Sequence, residues 1–312
     1  GNVARDQIEV ARQTGLRFHL GRGFQSLGAG QGGFAPPSLI ESGDDVLADC
    51  EEVVGRFHDP DKGAMLRVFI APSSVRSVSP ELLRQSAEMA RVLDVGFHMH
   101  LGETAGEVEF VHHEFGCRPA EFAEQLGCVA DNGWVAHGVH FEGQDIDVLA
   151  RNSCGVCHCP SSNMVLGSGV APVQEFLDAG VTVGLGTDGA ASNDSSNMLA
   201  EARLALLLSR VIPVRPHDMM TTRQALEIAT VGGAKLLQRD DIGSLKPGCV
   251  ADFAAVRLDR LSLLGAREPV AGLIKCVVGH VDHTWVHGRP LVTDGVLQTI
   301  DIDDLVRRSR SH

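Results

Sequence analysis

The stretch "VGFHMHLGET" (95–104) places two histidines and a glutamate where an apolar run gives way to glycine. A strand of a parallel sheet is covered on both faces and reads as a near-continuous hydrophobic run, so polar residues at its C-terminal end need a reason. Comparable runs recur along the chain: "LRFHLG" (16–21), "MLRVFIAP" (65–72), "GWVAHGV" (133–139), "CGVCHCP" (154–160) and "VTVGLGTDG" (181–189). Amphipathic helices separate them. "SPELLRQSAEMARVLD" (79–94) offers Ser79 as a cap and Pro80 in the first turn, and "APVQEFLDAG" (171–180) stops on Gly180. Strand alternating with helix predicts an α/β fold with a parallel sheet, of the TIM-barrel kind.

From residue 241 the pattern changes. "IGSLKPGCVADFAAVRLD" (242–259) and "VDHTWVHGRPLVTDGVL" (281–297) are short alternating runs broken by Gly and Pro. They predict a small antiparallel β-sandwich appendage, so the expected domains are a barrel over 1–240 and a β unit with its tail over 241–312. "GAGQGGFAPPS" (28–38) reads as a long loop.

Size and charge narrow the function. At 312 residues the chain exceeds the point where a single core stops growing, so a barrel with an appendage is the expected economy. A formal charge of -13 disfavours nucleic acid and anionic membranes and leaves small molecules as partners. No apolar run approaches the ~20 residues of a membrane span. The eight scattered cysteines fit reduced, buried thiols in the cytoplasm. Self-association as a homo-oligomer is compatible with all of this.

The strand ends carry His100 with Glu103, then His137, His158 and Asp188. Buried imidazoles and carboxylates must be paired, and a shared metal centre pairs several at once. Nitrogen and carboxylate oxygen suit Zn²⁺ or a similar divalent ion, with iron as the alternative. His100 and Asp188 are the expected ligands. Glu103, three residues past His100, is placed to move protons without occupying the metal. His137 either binds the metal or orients water and steadies a developing oxyanion; sequence leaves both roles open.

"HMHLGET" (98–104), "WVAHGVHF" (134–141), "CHCPSSNMVLGSGVAPV" (157–173) and "VGLGTDGAASNDSSNMLAEARLALL" (183–207) resemble the successive strand-end motifs of the amidohydrolase superfamily, in its branch of metal-dependent deaminases and triazine hydrolases. "HLGRGFQSLG" (19–28), the insertion at 32–59 and the "CPSSNM" loop are similar to 8-oxoguanine deaminases in particular. The resemblance implies strands three to eight of a barrel, with His100 a metal ligand, Glu103 the acid/base, His137 the strand-six histidine, and Asp188 a ligand and base. The superfamily's first strand ends in an H-x-H pair, and nothing before His19 supplies one. Two βα units are therefore expected upstream, in a longer protein. Where relatives acting on large nucleosides have a histidine, "APSSVRS" (71–77) has Ser73, which favours a bare heterocycle. Arg22, Ser73 and the "PSSN" loop (160–163) are expected to line the substrate pocket, with His137 and Glu103.

Two readings from different classes follow: a zinc-dependent deaminase of an amino-heterocycle, foremost an oxopurine, with a triazine-type hydrolase or a guanine, isocytosine or cytosine deaminase as runner-up, or a truncated non-catalytic barrel protein. Other motifs read as structural. "CGVCHC" (154–159) resembles a C-x-x-C half-site, but Cys154 and Cys157 point to opposite faces of a strand. His112 and His113 fall on a helix surface, and His280, His283 and His287 in the β tail. His19 is either pocket-lining or a buried polar residue.

Overall fold

The computed structural model describes residues 3–33, 35–211, 219–276 and 279–310. Phe34 of the glycine-rich loop lies outside them; the rest of that loop is irregular, with two short 3₁₀ turns. Six strands form one parallel sheet in sequence order: β1 (Phe18–Phe24), β2 (Leu66–Pro72), β3 (Gly96–Leu101), β4 (Gly133–His137), β5 (Gly155–His158) and β6 (Val183–Leu185). Helices cover its outer face, as at Gly43–Phe57, Pro80–Val92, Ala105–Phe115 and Gly143–Arg151. All six expected strands are present, and the order is that of consecutive βα units in a barrel.

Alternation sets the two faces. Leu20, Val68, Ile70, Met99, Leu101, Val135 and Val156 point outward and are almost completely buried against the helices. The opposite row is linked by register: His100 pairs with Ala136, and Ala136 with Cys157. This inner row ends at the chemistry described below. The helix Pro80–Val92 starts as expected, with the Ser79 hydroxyl accepting from Leu82 N at 3.3 Å.

The appendage is a four-stranded antiparallel sheet of β7 (Phe253–Ala255), β8 (His283–Val286), β9 (Arg289–Thr293) and β10 (Val296–Leu297), in the order β10-β9-β8-β7. Arg17, just before β1, joins it to the larger sheet by an ion pair to Asp252 at 2.6 Å. Arg239, fully buried, pairs with Asp241 at 2.6 Å and also approaches His19 Nε2 at 3.3 Å. His19 therefore sits at the start of β1, at the end of the sheet away from His100. The sequence reading placed it at the strand's end because "LRFHLG" understates a strand that runs on to Phe24. Among the described residues no helix is long and apolar enough to cross a membrane.

One close approach anchors a helical run after β6. The run Thr222–Leu236 contains a π-helical turn at Ile228–Gly232, and a Cβ on Gly232 would lie 2.0 Å from the carbonyl oxygen of Val183 on β6. A side chain there would push the helix off the strand. Gly232→Ala is expected to lower stability by about 1–3 kcal/mol, as overpacking does. Gly233→Ala, with nothing within 4 Å of its added Cβ, should be neutral or stabilising. Denaturant midpoints of the two variants check this, and equal losses would refute the close-approach account.

Candidate metal centre

Three polar ends of the sheet converge. His100 Nδ1 or Nε2, one ring nitrogen of His137 and a carboxylate oxygen of Asp188 all lie within 4.8 Å of one another. His137 Nε2 stands 3.9 Å from Asp188 Oδ2 and 3.9 Å from Glu103 Oε2. The ring of His100 lies 5.3 Å from that of His137. His98, one layer below, stacks on Trp134 at 5.1 Å and stays out of the cluster.

Local backbone explains the aim of two of these groups. His137 has φ 77° and Asp188 φ 60°, both in the left-handed region that non-glycine residues enter at a cost of about 1–3 kcal/mol. The strand ends turn sharply there: Gly138 N donates to Leu101 O at 3.1 Å and His140 N to Gly102 O at 2.9 Å. Register alone pairs His137 with the outward Leu101; the left-handed turn swings the imidazole back toward His100.

Behind the cluster, the helix Pro160–Val165 supplies two supports. Asn163 Oδ1 lies 2.8 Å from His137 Nδ1, so the imidazole donates from Nδ1 and presents the Nε2 lone pair to the centre. Ser162 Oγ donates to Asp188 Oδ2 at 2.6 Å, and Ser192 Oγ lies 3.2 Å from the same oxygen. Burial opposes ionisation of Asp188, but the Ser162 hydroxyl, the Gly189 N–H and the two histidines outweigh it and hold the carboxyl below its ordinary range. Burial, then the neighbouring His137, lowers the pKa of His100. A proton-free imidazole nitrogen and an ionised carboxylate are what a metal ion binds.

The donor set fits a divalent ion on these grounds. A lone pair on Nε2 facing two carboxylates is repulsive unless a cation lies between them. The 3.9 Å separation of His137 and Asp188 is within the ~4.2 Å that two ligands about 2.1 Å from one zinc can span. His137, for which the sequence left metal binding and water orientation both open, lies with His100 and Asp188 in one candidate donor set.

Of the other expected site residues, Ser73 is brought alongside: its carbonyl accepts from His100 N at 2.9 Å, and its neighbour Ser74 bridges to His100. Arg22 is not. It lies on the outward row of β1 and is buried in ion pairs with Glu41 at 2.6 Å and Asp49 at 2.5 Å, Asp49 belonging to the helix Gly43–Phe57. His158 also turns outward, paired in register with Leu185, and both of its buried ring nitrogens lack a partner. Burial and then the nearby His137 lower its pKa to about 4.

Sequence reading offered the loop 160–163 for substrate contacts, whereas Asn163 and Ser162 of that loop hold His137 and Asp188; it missed Glu107. Glu107 is buried below the turn that carries Glu103, accepting from Gly102 N at 2.5 Å. Burial, opposed by that N–H, reinforced by the charge of Glu103 and countered again by Arg76, pushes its carboxyl up to about 7 from 4.5. An acid that holds its proton more tightly when folded contributes stability below its unfolded pKa and loses it as pH rises through the folded value. Between pH 4.5 and about 7, wild type should lose stability that Glu107→Gln, which keeps an acceptor for Gly102, does not lose. Melting temperatures across that window check it; parallel curves would disprove it. Removal of the Asn163 carboxamide in Asn163→Ala should weaken zinc affinity about 10–100-fold, the usual effect of losing an outer partner of a ligating histidine. Competition with a chromogenic chelator measures this.

The sequence matches the family described as the amidohydrolase family over residues 2–291. It is 41% identical over 305 residues to an 8-oxoguanine deaminase of Pseudomonas aeruginosa, covering 98% of this chain and 68% of that protein. It is also 41% identical over 304 residues to the hydroxydechloroatrazine ethylaminohydrolase of Pseudomonas sp. strain ADP, covering 96% and 63%. Among solved structures it superposes on an atrazine chlorohydrolase from Arthrobacter aurescens complexed with zinc, with a TM-score of 0.95 at 33% identity, covering 99% of this chain and 69% of that one. On an adenosine deaminase from Xanthomonas campestris with bound zinc the TM-score is 0.90 at 29% identity, covering 99% and 68%. A match along nearly the whole length, on a parallel sheet whose strand ends gather these donors, shows that the chain belongs to the amidohydrolase family of hydrolases.

Proposed function

We propose that this chain carries the reacting groups of a zinc-dependent hydrolytic deaminase acting on an amino-substituted heterocycle, foremost an oxopurine such as 8-oxoguanine, with release of ammonia. The observation that carries the proposal is the placing of two carboxylates, Glu103 and Asp188, each 3.9 Å from the same imidazole nitrogen. Similarity to the 8-oxoguanine deaminase supports the substrate class. His100, His137 and Asp188 would hold the ion, together with whatever the whole protein adds. Zinc, when bound, supplies Lewis acidity that makes water a nucleophile near neutral pH.

The protein's own groups divide the proton work. Asp188, held ionised, accepts a proton from the attacking water. Glu103, at the mouth of the strand-end turn and about one-fifth exposed, protonates the ring nitrogen beside the carbon under attack, so charge does not accumulate on the heterocycle. The proton on Asp188 then passes to the departing ammonia, and the hydroxyl proton of the intermediate returns to Glu103 as the product carbonyl forms. Ser162 and Asn163 keep the acceptor and the imidazole aimed, which is positioning rather than chemistry. Ser73, whose carbonyl accepts from His100 N, is the residue proposed to meet the ring.

A second reading has its own support: equal identity to a triazine ethylaminohydrolase favours expulsion of an alkylamine from a related ring. Release of ammonia from 8-oxoguanine, guanine, isocytosine and an aminotriazine, against release of ethylamine from a hydroxylated ethylaminotriazine, decides between them. With the preferred substrate, Glu103→Gln should lower kcat about 10²–10⁴-fold with zinc retained. Asp188→Asn should lose activity and part of the metal affinity. Chelation should abolish turnover and zinc restore it. Undiminished turnover in Glu103→Gln would remove Glu103 from its role, and a folded full-length protein that neither binds zinc nor turns over any of these rings would establish the non-catalytic reading.

A further inference from the structure

The cysteine-rich run at β5 does not behave as its C-x-x-C spacing suggests. Cys154 is buried on the outer side and its thiol points to the Gly155 carbonyl at 3.8 Å. Cys157, by contrast, belongs to the inner row that continues through Ala136 to His100, and it is only partly buried. Cys159 follows two residues later, past the end of the strand, and is 3% exposed. The sulfurs converge on one spot: a Cβ on Gly186 would lie 2.7 Å from Cys157 Sγ and 3.2 Å from Cys159 Sγ. Gly186 stands two residues before the ligand Asp188, and Cys159 is the N-cap of the helix Pro160–Val165 that carries Ser162 and Asn163. Two thiols therefore meet between the two segments that aim His137 and Asp188.

We propose that Cys157 and Cys159 form a dithiol modification site that hydrogen peroxide closes to a disulfide, and that closure loosens the metal centre through Cys159 and Gly186. The division of roles follows from access. Cys157, the less buried of the two, attacks peroxide and becomes a sulfenic acid, and one water leaves. The buried Cys159 thiol then displaces the hydroxyl from that sulfur, forming the S–S bond and releasing a second water. The pair loses two electrons and two protons, and peroxide is reduced to two waters. A dithiol reductant reverses the bond by exchange. Joining the sulfurs draws Cys159 away from its cap position, and the short helix behind it carries Asn163 and Ser162 along.

The test uses the full-length zinc-loaded protein. After brief exposure to peroxide, free thiols are blocked with iodoacetamide and the peptide spanning 152–163 is sequenced by tandem mass spectrometry. The expected product is a Cys157–Cys159 disulfide with Cys154 still free, reversed by dithiothreitol, and zinc affinity of the oxidised protein about tenfold or more lower. Cys159→Ala should leave Cys157 unresolved, so that oxidation runs on to a sulfinic acid that dithiothreitol does not reverse. Alkylation of both Cys157 and Cys159 after exposure that oxidises the partly exposed Cys249 or Cys276 would overturn the site. Unchanged zinc affinity in protein shown to hold the disulfide would overturn the coupling. Only the coupling rests on the zinc reading; the disulfide map stands or falls without it.

Discussion

A lone pair that points at negative charge is the constraint on which the rest of the site depends. With its Nδ1–H given to Asn163, His137 turns Nε2 toward Glu103 and Asp188, and His100 adds a neutral ring on the remaining side. In a medium of low effective dielectric such an arrangement is costly unless a cation is shared. The surroundings are consistent with that requirement. They supply hydroxyl and backbone donors that hold the Asp188 carboxyl below its ordinary range.

The backbone bears part of the cost. His137 and Asp188 both occupy left-handed φ, and both are pinned by bonds that a relaxed chain would not make. Below Asp188, the fully buried Glu201 accepts from Ser161 N at 3.0 Å and Asn193 Nδ2 at 2.9 Å. It thereby ties the loop after β6 to the helix Pro160–Val165. A strained turn persists only when its surroundings over-determine it, and this buried carboxylate is the fastening.

Legibility in the sequence divides along the same line. Apolar runs and their polar ends revealed the six strands, and they identified His100, Glu103, His137 and Asp188, because those signals are local. His158 was read as a fourth member since it too ends a strand, yet register places it outward; a shift of one residue changes the face, and only pairing decides it. Arg22 misled for a related reason, lying on the even row of a strand longer than its apolar core. The supports Asn163 and Ser162 act on partners 26 residues away along the chain, and no spacing announces such bonds.

That the helix Pro160–Val165 is so short bears on how the site works. Six residues make a helix that is marginal by itself, so its position is set by what holds its ends: Cys159 at the start, the Glu201 carboxylate at Ser161, and the imidazole and carboxylate it supports. The candidate ligands and the helix therefore order one another. A displacement at Cys159 need not break any ligand to be felt, because rotating Asn163 away frees His137 to exchange its ring proton and withdraw the Nε2 lone pair. Sensitivity of this kind is the cost of a centre whose ligands sit on strained turns and whose orienting bonds come from one small element.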